Sequence, residues 1–384
     1  MAKRSHPRRI TAAVVVTASA LALAGTLTTS AAQPRTAADP VRSGLDRLVN
    51  ETGYPAALAA TAGRDGRTRN AAAGVGDIRT GAKAPVDGHI RAASVTKSFT
   101  AAVVLQLVAE GKVALDGPVE TYLPGLLRGD GIDGRRITVR QLLQHTSGLP
   151  EYSPYIGDFV TTRHRYRDPR SLLDLALRQK AAFPPGKGWQ YTNTDYVVAG
   201  LLVEQVTGRP VGEEITRRVI DRVGLRHTSF PAVGDQRVPY PHPRGYASTE
   251  PGAPLVDVTE MDPSSGWAAG ALITTPSDLT RFFRALLDGR VLKPAQLAEM
   301  RRTVEVPAEA GYPKGTRFGL GVASRPLSCG GLMWGHEGAY LGYATAPAAT
   351  DDGRAAAIAV TTYPDAAQKG RPEIQRLLDT ALCD

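Results

Sequence analysis

Strand-like patterns lie at both ends of the sequence and helical patterns fill its middle, and no other feature restricts the architecture as much. Val41, Leu45, Leu48 and Val49 share one face of a helix through Asn50, after which residues 56–76 read as two short strands around the turn Gly63-Arg64-Asp65-Gly66. Three further strand-like runs surround Phe318–Val322, Gly331–Ala346 and Ala355–Thr362, and a closing helix runs from about Pro372 to Leu382. Between these ends a helix opens at Ser94, with Phe99, Val103, Leu107 and Val108 on an apolar stripe and Gly111 stopping it. Residues 116–260 read as helical pieces separated by long Pro/Gly loops. Thr275-Pro276-Ser277-Asp278 has the form of a capping box with proline at the first helical position, leading into Phe282, Phe283 and Leu286. The expected fold is of the α/β (α+β) type: an antiparallel sheet built from both termini and flanked by helices, with an inserted mostly helical region. The sheet-forming parts are about 41–115 and 262–384, and the helical insert is about 116–261.

Charge is spread unevenly. Lys3, Arg4, Arg8 and Arg9 crowd the first ten residues, and no charge follows from Ile10 to Gly25. This reads as a secretory signal peptide over residues 1–32, with small residues Ser30-Ala31-Ala32 at the cleavage point. The apolar run is too short and too rich in Ala and Thr to span a bilayer comfortably. Both Sec and twin-arginine export remain open from Arg8-Arg9, although Ile10-Thr11-Ala12 fits the second poorly. Removing the segment takes four basic residues from 46 and none of the 37 acidic ones, so the net charge falls from +9 to +5. The densest remaining basic run, Arg163-His164-Arg165-Tyr166-Arg167, reads as a solvated loop, with loose attraction to an anionic cell-wall polymer as the other reading. Nucleic acid is not an expected partner. No second long apolar run occurs, so no stable membrane anchor is expected. The product is expected to be secreted and monomeric. Export places Cys329 and Cys383 in an oxidising compartment, where a cysteine pair usually forms a disulfide. Such a bridge closes a loop of roughly 55 residues, worth about 4 kcal/mol by loop-closure entropy.

The chemistry-bearing residues are sparse. In Ser94-Val95-Thr96-Lys97 the serine and lysine stand three residues apart at the mouth of a helix, on one face. A serine hydroxyl needs a base to become a nucleophile, and a partly desolvated lysine can serve. The helix N-terminus adds positive potential beside a developing oxyanion. Alone, the spacing also fits an N-cap serine with a solvated lysine. Two other segments support the catalytic reading: Tyr191-Thr192-Asn193, after Phe183-Pro184-Pro185-Gly186, and His336-Glu337-Gly338, near Cys329. A tyrosine beside a lysine can move protons between nucleophile and leaving group, and an asparagine amide can hold a substrate amide. Gly129-Asp130-Gly131-Ile132-Asp133-Gly134 has glycines at dinucleotide spacing, but no strand precedes it and its carboxylates repel a pyrophosphate, so it reads as a loop. The seven histidines show no His-x-x-x-His spacing and no Gly-x-Ser-x-Gly elbow occurs, so neither a metal nor another cofactor is expected.

With these three segments in this order, and with Leu142-Leu143-Gln144-His145-Thr146-Ser147-Gly148-Leu149, Tyr191 to Gly200 and Leu327-Ser328-Cys329 connecting them, the sequence resembles the penicillin-recognising serine hydrolases. That family covers D-alanyl-D-alanine carboxypeptidases, class C β-lactamases and related esterases and D-aminopeptidases. The resemblance spans the whole mature chain and is closest to secreted carboxypeptidases with Tyr-x-Asn and His-x-Gly. It implies Ser94 as acylated nucleophile, Lys97 as its proton partner, Tyr191 as general base and acid, and Asn193 as the residue holding the acyl amide. It further implies His336 beside the leaving group and backbone N–H groups of Ser94 and Ala339 as oxyanion hole, with Gly338 on the same substrate-lining strand. His145 becomes a structural turn, and Trp267 is expected near the cleft, in contact with substrate or core. Substrates would be small peptides ending in D-amino acids, with β-lactams as inhibitors or substrates.

One departure bears on substrate. Carboxypeptidases of this type resemble one another in placing hydroxyls around His-x-Gly, and a nearby arginine, to hold the leaving D-alanine's carboxylate. Here Glu337 and Ala339 stand in those places and Ala323 stands where the arginine belongs. An anionic Glu337 disfavours an incoming carboxylate unless Arg325 swings in to neutralise it. The expected activity is D-alanyl-D-alanine carboxypeptidase or a close D-stereospecific peptidase; the alternatives are a class C-like β-lactamase, an esterase or D-aminopeptidase, or a non-catalytic cell-wall or antibiotic-binding module.

Overall fold

A computed structural model describes Ala2 and residues 39–248, 250, 253–362 and 365–384, with no account of the side chains of 365–370. Apart from Ala2, the expected signal segment 1–32 lies outside the described residues. Asp39–Asp384 cluster as one unit.

The sheet has ten antiparallel strands: β1 (Ala56–Ala62), β2 (Thr68–Asp77), β3 (Ala82–Lys83), β4 (Val304–Glu305), β5 (Arg317–Phe318), β6 (Ala323–Pro326), β7 (Leu332–Gly335), β8 (Gly338–Tyr340), β9 (Tyr343–Thr350) and β10 (Ala355–Val360). Their order is β4-β5-β6-β7-β9-β10-β1-β2-β3, with β8 paired to β9 off this path. Both termini therefore feed one sheet, as expected: Ala57 pairs with Val360 and Ala62 with Ala355. The central strands β1, β9 and β10 are rich in alanine and almost wholly buried. Alanine is a weak strand former, but its small side chain lets helices approach both faces closely, so packing overrides propensity. On β1, Ala57 and Ala59 join the cluster of helix α1 (Pro40–Asn50) and the C-terminal helix, while Ala56 and Leu58 join a cluster on the other face.

The strand expected to stop at Ala346 continues through Pro347 to Thr350. A proline lacks the ladder donor. On that side β9 pairs with β8 through Tyr343, Ala344 and Thr345 and with β7 from Ala348 onward, so Pro347 falls in the gap where no donor is needed.

Helix α2 (Thr96–Ala109) is buried on all sides from Thr96 to Leu105, not on one stripe. A helix apolar all round sits inside the core, and this one runs between the insert and the sheet-side helix α5 (Pro276–Leu287), where Phe99 stacks on Phe282 with ring centroids 3.8 Å apart. The expected capping box is half realised: Thr275 accepts from the Asp278 N–H, but the Asp278 carboxylate turns to the His227 N–H and the Thr228 hydroxyl. The insert supplies helices α3 (Val139–Gln144) and α4 (Thr194–Thr207). The closing helix α6 (Asp365–Cys383) starts before the expected Pro372, and Cys329 is bonded to Cys383 with their Cα atoms 5.7 Å apart. Among the described residues no helix is long and apolar enough to cross a membrane.

Candidate active site

Ser94 lies in the single turn Ala93–Val95 that leads into α2. Ala93 has φ of 51°, a left-handed conformation that costs an L-residue energy and recurs beside reacting groups. Lys97, one turn on, is fully buried, and its Nζ lies 3.0 Å from Ser94 Oγ, 2.7 Å from Asn193 Oδ1 and 2.9 Å from the Ala269 carbonyl oxygen. A neutral amine has two N–H donors and one lone pair. Asn193 Oδ1 and the Ala269 carbonyl can only accept, so the lone pair is left for the Ser94 proton. Burial pulls the Lys97 ammonium down to about 7, against the opposing pull of Glu151 and Asp195.

Tyr191 and Asn193 come from the loop ahead of α4. The Tyr191 ring lies 4.9 Å from Lys97 Nζ, and its hydroxyl is hydrogen-bonded to Ser94. Burial is the largest influence on this phenol and holds its pKa well above 10, so it rests as a proton donor and not as a phenolate. Asn193 is oriented by Glu151, whose carboxylate accepts from the Asn193 backbone N–H at 2.5 Å and from Nδ2 at 3.3 Å. His145, expected as a turn, caps α3 at φ 62° and also braces the loop: its carbonyl accepts from the Gln190 N–H and its ring lies 4.5 Å from that of Tyr191. Its Nδ1 is 3.0 Å from Asp195 Oδ2, and Ser147 Oγ donates to Asp195 Oδ1.

His336 stands at the end of β7. Its Nδ1–H donates to the Glu337 carbonyl at 2.6 Å, which leaves Nε2 as a buried acceptor without a partner among the described residues. Burial, aided by Lys97, pushes its pKa down to about 3, so it is a neutral imidazole. Gly338 is required by the approach of β8 to the nucleophile turn: a Cβ there would lie 2.2 Å from the Ala92 carbonyl oxygen. Ala339 follows on the same strand and faces the cleft with Ser94.

Two cavities meet at Ser94, Asn193 and Ala339. One, about 940 Å³, is lined by Tyr191, Tyr312, Phe318, Arg325, His336 and Glu337. The other, about 490 Å³, is lined by Tyr152, Phe159, Val160, Tyr340 and Leu341. A bound acyl compound attacked at Ser94 would thus have separate space for its two halves.

Ser94, Lys97, Tyr191, Asn193, His336, Glu337, Gly338 and Ala339 converge, and Arg325 lines the larger cavity. One expectation is corrected: Arg325 makes no ion pair with Glu337; it donates to Met333 Sδ at 3.7 Å, and Arg371 of α6 takes the carboxylate through Nη2 at 2.7 Å. Of the two contacts expected for Trp267 the structure has the one with the core: the ring lines neither cavity and packs over Gly200 of α4, where a Cβ would lie 2.6 Å away. Glu151, Asp195, Arg371 and Gln375 went unnoticed in the sequence. Asp195 alone left a local signal, a carboxylate in an otherwise apolar stretch of α4.

Fold, nucleophile turn and buried lysine together define a serine hydrolase. The family model named Beta-lactamase matches residues 41–382, and the chain belongs to that family. It is 32% identical over 287 residues to penicillin-binding protein 4 of Amycolatopsis lactamdurans, covering 72% of each chain. It is 30% identical over 330 residues to the esterase EstB of Burkholderia gladioli, covering 76% of this chain and 83% of that one. Among solved structures it is similar to a D-stereospecific amidohydrolase from Streptomyces sp., with 38% identity, a TM-score of 0.78, and coverage of 84% of this chain and 94% of that one.

Proposed function

We propose that the protein is a secreted hydrolase that forms an acyl-enzyme at Ser94 with D-configured peptides and amides, a D-alanyl-D-alanine carboxypeptidase or a close D-stereospecific peptidase or amidase. The observation that carries this reading is the fully buried Lys97 Nζ, 3.0 Å from Ser94 Oγ and otherwise in contact with the oxygens of Asn193 and Ala269. Ser94 Oγ attacks the carbonyl carbon while its proton passes to Lys97 Nζ. The oxyanion is held by the Ser94 and Ala339 backbone N–H groups. Tyr191 gives its proton to the leaving nitrogen and regains one from Lys97; the carbon–nitrogen bond breaks and the acyl ester remains. Water then attacks the ester, Ser94 regains its proton and the acid departs. Asn193, which lines both cavities at Ser94, donates from Nδ2 to the acyl amide's carbonyl oxygen in this reading. Resemblance to a penicillin-binding protein and to a D-stereospecific amidohydrolase supports D-configured acyl groups and β-lactams as ligands.

The test is incubation with a fluorescent penicillin followed by peptide mass mapping, alongside hydrolysis of paired D- and L-peptides and amides. A lasting adduct on Ser94 with turnover of the D-series only is expected, and Ser94→Ala should abolish both. Rapid penicillin turnover without an adduct would move the protein to the β-lactamase reading, and ester-only turnover to the esterase one. Residues 1–32 are proposed to be removed on export, in keeping with the Cys329–Cys383 bond, which suits an oxidising compartment. N-terminal sequencing of protein from a culture medium should begin near Gln33; retention in the cells with Met1 intact would overturn it.

A further inference from the structure

Glu337 lines the larger cavity next to His336, yet neither of its carboxylate oxygens is free. Arg371 donates to Oε2 from Nε at 2.9 Å and from Nη2 at 2.7 Å, and Gln375 Nε2 donates to Oε1. Arg371 and Gln375 are four residues apart on α6 and so share one face of it. The Arg371 guanidinium is further pinned over the Tyr312 ring, 4.9 Å from its centroid. A guanidinium is a strong carboxylate partner, and here the protein's own carboxylate occupies it, with both Arg371 donors on Oε2 and Gln375 on Oε1. The other cation in the cavity, Arg325, is two residues along β6 from Ala323, which pairs with Gly335 beside His336. At about 3.3 Å per residue its backbone stands some 7 Å farther along the strand.

We propose that Glu337 is an internal stand-in for a substrate carboxylate: by filling the Arg371 fork it selects leaving groups that carry no free carboxylate. This rests on the acyl-enzyme reading above and names its leaving group as ammonia, an amide-terminated residue or an uncharged amine. A leaving residue with a free C-terminus would have to displace Glu337 from Arg371 and Gln375, which leaves one of the two carboxylates without its cationic partner. Removing the Glu337 charge frees the fork and converts the same cavity into a carboxylate site.

The experiment compares one peptide ending in D-Ala-D-Ala as the free acid and as the C-terminal amide, in the wild type, Glu337→Gln, Glu337→Ala and Glu337→Ala/Arg371→Ala, reading the acid-to-amide ratio of kcat/KM within each protein. The wild type should favour the amide, the two single variants should shift the ratio toward the acid by about tenfold or more, and the double variant should lose that shift. Circular dichroism and Tm report folding independently of the ratio, whereas penicillin carries a carboxylate of its own and does not. A wild type that prefers the acid, or correctly folded single variants with an unchanged ratio, would overturn the inference and leave the acyl-enzyme reading standing. Failure of the wild type to hydrolyse either peptide would instead sink the reading on which it rests.

Discussion

Lys97 and Tyr191 divide the proton work according to their surroundings. With Lys97 held near 7 and Tyr191 held well above 10, only the lysine is available as a base at neutral pH. Below about 7 the amine is protonated, its lone pair is gone and the Ser94 proton has nowhere to go. The acylation kcat/KM is therefore expected to fall as pH drops through about 7, by roughly tenfold per unit, and Lys97→Arg should lose roughly 10²–10⁴ in rate. His336 is neutral down to about 3, so His336→Gln should lower the rate without moving that limb; a limb displaced in His336→Gln would assign it to the imidazole.

The buried pair behind Tyr191 allows a second residue-scale test. Burial raises the pKa of Asp195 and lowers that of His145, and both side chains are fully buried. Ser147 receives the Leu149 N–H on its oxygen, so its own hydrogen goes to Asp195 Oδ1, while Asp195 Oδ2 lies 3.0 Å from His145 Nδ1, which also meets the Thr192 N–H at 3.4 Å. Other groups acting on the pair are Lys97, Glu151 and His336. An acid with a raised folded pKa stabilises the fold fully below its unfolded pKa and progressively less as pH rises through the folded one. Asp195→Asn reproduces both hydrogen bonds without a titrating proton and should match or exceed the wild-type Tm at pH 8. Asp195→Ala removes the acceptor of the Ser147 hydroxyl and the carboxyl partner of His145 and should cost about 1–3 kcal/mol for each. A large loss in Asp195→Asn would show that the carboxylate is charged.

At the scale of elements, what was readable in the sequence depended on the distance over which it acts. The Ser94–Lys97 pair was legible because three residues on a helix bring two side chains together. Tyr191, Asn193 and His336 became legible through resemblance, since no local spacing links them to Ser94. Arg371 and Gln375 reach Glu337 across 34 and 38 residues, and Glu151 reaches Asn193 across 42, so no periodicity announces them. The run expected to end at Ala346 goes on through Pro347 to Thr350 because the neighbour that would need the proline's N–H is missing at that point, which is fixed by the distant strands β7 and β8. Two elements hold the cleft, and each can be loosened alone. Gly338→Ala sets a Cβ against the Ala92 carbonyl and forces β8 off the nucleophile turn, which should cost about 10²–10³ in acylation rate, as for loss of one oxyanion donor. Replacing Cys329 and Cys383 by serine frees α6 and should cost about 2–5 kcal/mol, read as a lower Tm; an unchanged Tm would mean that the helix holds itself.

The nucleophile lies where the whole molecule's two contributions meet, with β8 from the sheet on one side and the Tyr191–Asn193 loop from the insert on the other, so the cleft depends on a sheet closed by both ends of the chain. The N-terminal boundary of that unit can be argued from Asp39. Its Oδ1 accepts from the backbone N–H groups of Val41 and Arg42 at 2.9 and 3.3 Å, capping α1 with Pro40 at the first helical position. Helix α1 then buries Val41, Leu45 and Leu48 against Leu377 and Leu378 of α6 and the alanine face of β1. Gly44 lets the helices touch, since a Cβ there would lie 2.2 Å from a Leu377 methyl carbon. A chain beginning at Gln33 keeps the cap and the helix and should match the full-length protein in Tm and penicillin labelling. A chain beginning at Glu51 loses three buried side chains worth roughly 1.5–3 kcal/mol each, against a total stability of about 5–15 kcal/mol for a domain. It should therefore fail to fold or melt far lower, with labelling of Ser94 lost in step although no cleft residue has been touched. If the shorter chain instead melts with the longer one and still labels, the N-terminal helix is an ornament on a sheet that closes without it.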